Sequence, residues 1–404
     1  MATVTGVSGS CTPALLEQSV MSGPPSHNGS KFPPGWSGFA LVVLLTLVVV
    51  TTSALAQLIR PGQPAVVGLP SGCVTHDRRA FNLPSVKGLN YGQPTTITGE
   101  YLGSRWLRSG TQYEAGWEAA KPELEADLNF IVSHNLGRLL RVFIGLDQLM
   151  VWNASTGFGR FDDQSLEHFQ EALDVFDAHQ VRVIAVVFDQ EEQSSPGNFH
   201  FEALDGRHQT MRANYLRALD EFMRRFGSRS TVAAWDLFNE AYNSLGQEGG
   251  LPRPGSGASP VSPNYPDRVV LAWIQDLYRA AKCAMPDAWL TTSDTTELYW
   301  KNPPDPSRYD AALDFYDIHV YDDHPSARDW SRYLRKPYLM GEVGGDINGG
   351  FNDQTLNSQV VRFWLQHARS LGVKAVLAHM AGGEVYSLRT RTLTPTGRVI
   401  QEAT

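Results

Sequence analysis

The sequence predicts an α/β fold, a single (β/α)8 TIM barrel over residues 81–404, on three observations. Eight short runs rich in β-branched residues recur along that stretch. Amphipathic helical patterns separate them, the alternation expected of a parallel sheet. The segment after the first run, GLNYGQPTT, lacks the GxGxxG phosphate loop that a doubly wound open sheet would carry there.

The expected strands are VKGLNY (86–91), LLRVFI (139–144), VRVIAVVF (181–188), VAAWDLFN (232–239), AWLTTSD (288–294), FYDIHVY (315–321), PYLMGEV (337–343) and KAVLAHM (374–380). Between them, apolar residues fall three and four apart, as on one face of a helix. Residues 123–135 do this with Leu124, Leu128, Phe130 and Ile131, and residues 166–178 with Leu166, Phe169, Leu173 and Phe176. Residues 211–226 and 269–284 behave likewise. Asp162 and Asp163 stand where N-terminal caps of the second helix belong. Residues 244–266, rich in Gly and Pro, read as a long loop after the fourth strand, on the face where a barrel carries its chemistry.

Ahead of the barrel, residues 1–37 are rich in Ser, Gly and Pro and are expected to be a disordered tail. The run FALVVLLTLVVVTTSAL (39–55) carries no charge, and Ala54-Leu55-Ala56 has small residues at both outer positions of a signal-peptidase triplet. Residues 38–56 are therefore expected to be a cleaved signal peptide or an uncleaved signal anchor, and residues 57–80, with Pro61, Pro64 and Pro70, a linker. Either alternative predicts a domain outside the cytoplasm: secreted, or held by a membrane tether through residues 39–55. Of the cysteines, Cys73 and Cys283 would outlast cleavage and Cys11 would not. In an oxidising compartment those two either pair or remain separate thiols. Asn153-Ala154-Ser155 is a glycosylation sequon for the same compartment.

The charge balance, 34 Lys and Arg against 42 Asp and Glu, includes no basic run or stripe and speaks against nucleic acid. A neutral ligand suits it better than a polyanion. A metal set drawn from Asp189, Asp236, Asp294 and His319 lacks any short ligand motif, so neither metal nor cofactor is expected. Ser293 does not lie in GxSxG, which leaves a serine hydrolase without support.

Two strand ends carry carboxylates. WDLFNE ends the fourth strand on Glu240, and YLMGE ends the seventh on Glu342. A barrel holds such residues on one face, where a pair of carboxyl groups about 5–5.5 Å apart can cleave a glycosidic bond with retention. One must donate a proton to the leaving oxygen while the other attacks the anomeric carbon. Asn239, just before Glu240, suits a hydrogen bond to a sugar 2-hydroxyl if the chain turns there and presents both residues. Gly341 permits close approach beneath the sugar.

WDLFNEAYN and YLMGEVG resemble the acid/base and nucleophile strands of glycoside hydrolase clan A, in particular the family 5 cellulase and endo-β-mannanase group. The likeness extends over most of residues 86–380. It implies a retaining β-glycoside hydrolase acting on β-linked glucan or mannan, or on oligosaccharides from them, with Glu240 as acid/base and Glu342 as nucleophile. RVFI resembles the second strand, where the resemblance implies that Arg141 keeps Glu342 ionised. YDIHVY resembles the sixth, implying that Tyr321 donates to the nucleophile and His319 contacts substrate or the acid/base. GLNY resembles the first strand and offers Tyr91 as a wall of the sugar site. Trp106 and Trp300, in expected βα loops, are candidates for stacking on sugar.

The sequence departs from that pattern twice. The eighth strand reads LAHMA (377–381), with His379 near the place where the clan carries a platform Trp, so either the floor of the −1 subsite is altered or the register differs. The third strand ends in Phe188-Asp189 rather than a His. A rival reading is a non-catalytic carbohydrate-binding barrel. The sugar, endo or exo action, hydrolysis against transglycosylation and the oligomeric state stay open.

Overall fold

The computed structural model describes residues 81–91, 116–153, 157–188, 209–241, 267–295, 310–321, 334–345, 353–379, 381–387 and 390–404. The tail, the 39–55 run, the linker, the 244–266 loop, Trp106, Asp189 and Trp300 lie outside them. Eleven strands are β1 (Lys87–Tyr91), β2 (Leu139–Phe143), β3 (Met150–Asn153), β4 (Gly157–Phe161), β5 (Arg182–Val186), β6 (Val232–Asp236), β7 (Leu290–Thr291), β8 (Asp294–Thr295), β9 (Tyr316–Val320), β10 (Tyr338–Val343) and β11 (Val376–Ala378). Six helices of eight residues or more are α1 (Gly116–Ser133), α2 (Asp163–Ala178), α3 (Gln209–Phe226), α4 (Asp267–Ala284), α5 (Gln354–Leu371) and α6 (Pro395–Glu402).

One parallel sheet runs β7-β6-β5-β2-β1-β11-β10-β9-β8. Its two end strands, β7 and β8, are halves of a single stretch interrupted by Thr292 and Ser293. The first half pairs with β6 and the second with β9, so this stretch joins the sheet's two edges. The result is a nearly closed barrel of eight parallel strands with helices between them, a (β/α)8 TIM barrel as the strand pattern predicts. Every expected strand is present, and so are the four expected helices. Asp162 caps α2, accepting from the Ser165 amide at 2.9 Å.

The antiparallel hairpin β3–β4, inserted between β2 and α2, is not expected from the sequence. Its strands are short, and one is broken by Gly159, so neither shows a clear period. It is held because Phe158 and Phe161 are buried, with Phe161 against Phe222 of α3.

Strand alternation decides what fills the barrel. Leu140 and Val142 of β2 face the helical layer, while Leu139 and Arg141 point inward. The inward set at the N-terminal ends is apolar: Leu139, Ile184, Ala234, Phe315, Leu339 and Leu377 pack together. Phe81 closes that end, its ring stacked on Phe315 at 4.7 Å and tilted against Trp289 at 4.6 Å. The next inward positions, toward the C-terminal ends, are polar and build the candidate site. Gly88 is required at its place in β1, because a Cβ there would lie 2.0 Å from the Leu139 carbonyl oxygen.

The C-terminal helix is tied to the barrel's base by Lys87, whose Nζ donates to the carbonyls of Ile400 and Ala403 at 2.9 and 2.5 Å. Burial lowers the pKa of this lysine. Cys283, near the end of α4, is disulfide-bonded, to a partner outside the described residues. Among the described residues, no helix is long and apolar enough to cross a membrane.

Candidate active site

Arg141 is the hub of the polar layer and is fully buried. Its Nη1 donates to Asn90 Oδ1 at 3.0 Å and to Glu342 Oε1 at 2.5 Å. Its Nη2 donates to Asp236 Oδ2 at 2.7 Å, Asn239 Oδ1 at 2.6 Å and Ser293 Oγ at 3.0 Å. The guanidinium lies 4.8 Å from the centroid of the Phe143 ring. Burial alone would lower its pKa, but the charges of Asp236 and then Glu342 outweigh burial and raise it, so the guanidinium is a permanent cation.

Glu342 reaches this hub through a bulge. Met340 of β10 lies opposite Ile318 of β9, and Glu342 lies opposite His319, so Gly341 is the unmatched residue. A bulge re-aims the following side chain, here into the barrel. Asn90 holds the bulge from β1, donating to the Gly341 carbonyl at 2.7 Å and to Ala378 at 3.1 Å. The space left by the missing side chain is occupied by protein rather than by ligand: a Cβ on Gly341 would lie 1.6 Å from Asp317 Oδ1. This corrects the expectation that Gly341 makes room beneath a sugar.

Glu240 is brought in by its own backbone, with φ at +47°. The left-handed region costs a non-glycine residue roughly 1–2 kcal/mol. In return, adjacent residues both reach the site. Asn239 faces Arg141, and Glu240 Oε1 lies 2.8 Å from His319 Nδ1. Ser293 braces the turn: its Oγ accepts from the Glu240 amide at 3.2 Å and donates to Asn239 Oδ1 at 3.2 Å, while its own amide donates to Asp236 Oδ1 at 3.0 Å.

Glu240, Glu342 and His319 converge, one donor atom from each lying within 4.8 Å of the others. Among the described residues this is the cluster closest in form to a metal-binding set. Arg141 already supplies a counter-charge to Glu342, so the trio reads as a proton-handling group. The two carboxylates differ in access, with the Glu240 side chain 14% exposed and that of Glu342 2%. Tyr321 donates its hydroxyl to Glu342 Oε2. Burial, then the nearby Glu342 charge, pushes this phenol well above its ordinary range and keeps it a donor. Burial depresses the His319 imidazole to about 3, with Arg141 adding to that and Glu342 opposing it, so His319 is neutral at any working pH.

The structure thus brings Arg141, Asn239, Glu240, His319, Tyr321 and Glu342 together. It does not bring Tyr91 with them: the Tyr91 hydroxyl donates to Asp127 of α1 at 3.1 Å, among the helices. The β1 residue that enters the cluster is Asn90, one position earlier, as strand alternation requires. Asn90, Asp236, Ser293 and Asp317 are members that motif reading passes over. Only Asp317 carried a signal in the sequence, the inward register it shares with His319 two residues on.

His379 settles the eighth-strand question. Its amide donates to the Val343 carbonyl at 2.9 Å, continuing the strand pairing, and its ring enters the site. The register therefore holds, and an imidazole occupies the region beside Glu342. His379 Nδ1 lies 2.9 Å from Glu384 Oε1, and Nε2 lies 3.8 Å from Glu342 Oε2. Glu384 is held in turn by Asn357 at 3.1 Å. Burial pulls the His379 pKa down, but the charge and hydrogen bond of Glu384, with Glu342 and Glu240 beyond, raise it above the ordinary imidazole value. Gly344 provides the room, since a Cβ there would sit 3.3 Å from His379 Cβ.

No protein-family model and no curated protein matches this sequence. Solved structures do match by shape. The β-mannanase of the blue mussel Mytilus edulis superposes with a TM-score of 0.57 at 15% identity, covering 79% of this chain and 94% of that one. The endo-1,4-β-mannanase of Eisenia fetida gives 0.53 at 18% identity, covering 79% and 95%. A GH5_18 variant from Streptomyces cattleya, solved in complex with Manβ1-4GlcNAc, gives 0.55 at 14% identity, covering 78% and 79%. At such identities the likeness is one of fold: the chain shares their (β/α)8 barrel.

Proposed function

We propose that this chain is a retaining β-glycoside hydrolase acting on β-linked mannan or glucan, or on oligosaccharides derived from them. The observation that carries the proposal is the juxtaposition of Glu240 and Glu342, with an oxygen of each within 4.8 Å of the other and His319 between them. That separation suits direct attack by one carboxylate and leaves no room for the water that an inverting pair, about 6.5–9.5 Å apart, must admit.

The more exposed carboxyl, Glu240, protonates the leaving oxygen. Buried Glu342, paired with Arg141, attacks the anomeric carbon and forms a glycosyl-enzyme. Glu240, now a carboxylate, then takes a proton from water as that water attacks the same carbon, and Glu342 leaves. Tyr321 and Arg141 each hold one oxygen of Glu342. The Asn239 amide, its oxygen anchored on Arg141 and Ser293, is assigned to the sugar 2-hydroxyl. The mannan preference rests on the mannanase neighbours. The apolar run at 39–55 and the disulfide at Cys283 support a domain outside the cytoplasm.

The test is turnover of aryl β-mannosides, aryl β-glucosides, mannan and mixed-linkage glucan, with proton NMR of the first-formed anomer. Release of the β-anomer from a β-linked substrate is expected. Binding of the sugar without release of aglycone would favour the non-catalytic barrel, and an initial α-anomer would overturn the nucleophile assignment.

A further inference from the structure

Asp317 is a buried carboxyl group that the proposed chemistry does not use. It lies on β9, two residues before His319, so both point into the barrel. Asp317 is 1% exposed and His319 fully buried. Neither Asp317 oxygen has a hydrogen-bond partner, and neither does His319 Nε2. The two orphans face each other, with His319 Nε2 3.8 Å from Asp317 Oδ1. That gap is too long for a hydrogen bond and too short to admit a bridging water. An ionised carboxylate facing an unprotonated ring nitrogen, both dry, would be costly. A proton on the carboxyl, directed at the ring nitrogen, lowers that cost by turning repulsion between lone pairs into attraction.

The charges around Asp317 say which group carries that proton. Three carboxylates surround the single Arg141 guanidinium, all at most 2% exposed: Asp236, Glu342 and Asp317. Asp236 has hydrogen bonds from Arg141 and the Ser293 amide, and Glu342 from Arg141 and Tyr321. Asp317 has a 3.4 Å approach from Arg141 Nε and a weak one from the Gly341 amide, neither meeting hydrogen-bond geometry. Arg141 is shared by all three, His379 approaches only Glu342, and the least-supported anion is the one that protonates. Burial raises the Asp317 carboxyl well above the usual range. Arg141 opposes this, Asp236 and Glu342 add to it, and the nearby Gly341 amide opposes it weakly.

We propose that Asp317 holds a proton and, by donating it toward His319 Nε2, fixes the imidazole tautomer whose Nδ1–H donates to Glu240 Oε1. The line Asp317–His319–Glu240 is then a buried positioning chain for the acid/base, with the Asp317 proton directed at the ring nitrogen 3.8 Å away. It turns the other oxygen of Glu240, the one bearing the transferable proton, toward the leaving group. Asp317 itself touches no substrate. Glu342, Arg141, Asp236 and His379 are the other charged or titratable groups facing His319, and none of them meets its Nε2 within hydrogen-bond distance.

This inference rests on the glycosidase reading for its kinetic arm but not for its spectroscopic arm. Isotope-edited infrared spectra of the whole protein at neutral pH are expected to contain a protonated-carboxyl band that Asp317→Asn removes. Nitrogen-15 NMR is expected to place the His319 proton on Nδ1. Kinetically, Asp317→Asn, whose amide can donate as the carboxyl does, should keep kcat/KM within about threefold. Asp317→Ala should lower kcat/KM roughly tenfold or more on a phenyl glycoside, which needs protonation, and leave a dinitrophenyl glycoside nearly unchanged. Absence of the infrared band, a proton on Nε2, or an Asp317→Asn variant as impaired as Asp317→Ala would each overturn the proposal. So would equal losses by Asp317→Ala on the two substrates. If Asp317→Ala fails to fold, Asp317→Asn and the spectra still decide. If the wild type turns over no glycoside, the function reading fails while the spectra still judge Asp317.

Discussion

Arg141 Nη1 and Glu342 Oε1 meet at 2.5 Å from strands 201 residues apart in the chain. The contact crosses the barrel interior, where both side chains are almost wholly removed from water. Removing one partner of such a pair leaves a buried charge uncompensated and costs about 3–5 kcal/mol. The same guanidinium holds Asp236 and Asn239, so the candidate nucleophile and the residue before the candidate acid/base share one anchor.

The roles of the two carboxylates are separable by azide. In Glu240→Ala, an activated leaving group still departs, glycosyl-enzyme accumulates, and azide attacks it from the face used by water, giving a β-glycosyl azide. In Glu342→Ala no intermediate forms, and azide in place of the carboxylate gives the α-glycosyl azide. On unactivated substrate, loss of Glu240 is expected to cost roughly 10²–10⁴-fold. NMR of the azide products checks the assignment, and exchanged anomers would reverse the two roles.

His379 is predicted to set an alkaline limit that Glu240 does not. Its pKa is raised, chiefly by Glu384 acting against burial, so it is a cation beside Glu342 until the pH passes that raised value. A dinitrophenyl glycoside needs no acid, so any fall in its kcat/KM at high pH excludes Glu240 as the cause. The wild type should show such a fall and His379→Gln should lack it. Glu384→Gln, which removes the supporting charge, should move the fall to lower pH. A wild-type profile flat to high pH would refute the role.

Gly341→Ala is predicted to damage stability and activity together. The new methyl would overlap the Asp317 carboxyl, and overpacking of this kind costs about 1–3 kcal/mol. The shift is transmitted to Glu342, the next residue, and a displacement near 1 Å there is enough for roughly a hundredfold loss of rate. Thermal unfolding and kcat measured on the same preparation would check this, and a variant with native values in both would contradict the packing described.

Acid should destabilise the fold in part through His319. Burial lowers this imidazole from 6.5 to about 3 in the folded protein. Between those values the unfolded chain binds a proton that the folded chain does not. The unfolded state is therefore favoured as pH falls through that window. The melting temperature of the wild type should decline more steeply on acidification below about pH 6 than that of His319→Gln. Parallel curves would show that His319 is not the group responsible.

The sequence by itself determined the barrel, because a parallel strand buried on both faces writes a short apolar run and each helix writes a period of three and four. It also determined both carboxylates, since WDLFNE and YLMGE end strands that must share one face of the barrel. Arg141, His319 and Tyr321 were reached through the resemblance of RVFI and YDIHVY to the second and sixth strands of clan A. Only the tertiary structure decided the rest. Tyr91 and Asn90 are adjacent, and which of them enters the barrel depends on a register that one residue of slip would reverse. The bulge at Gly341 is invisible without the partner strand, and its purpose is invisible without Asp317 lying against it. The left-handed turn at Glu240 and the Glu384 contact to His379 depend on groups brought together across the fold. Periodicity is a property of neighbours in the chain, whereas burial, charge and an unpartnered proton belong to neighbours in space.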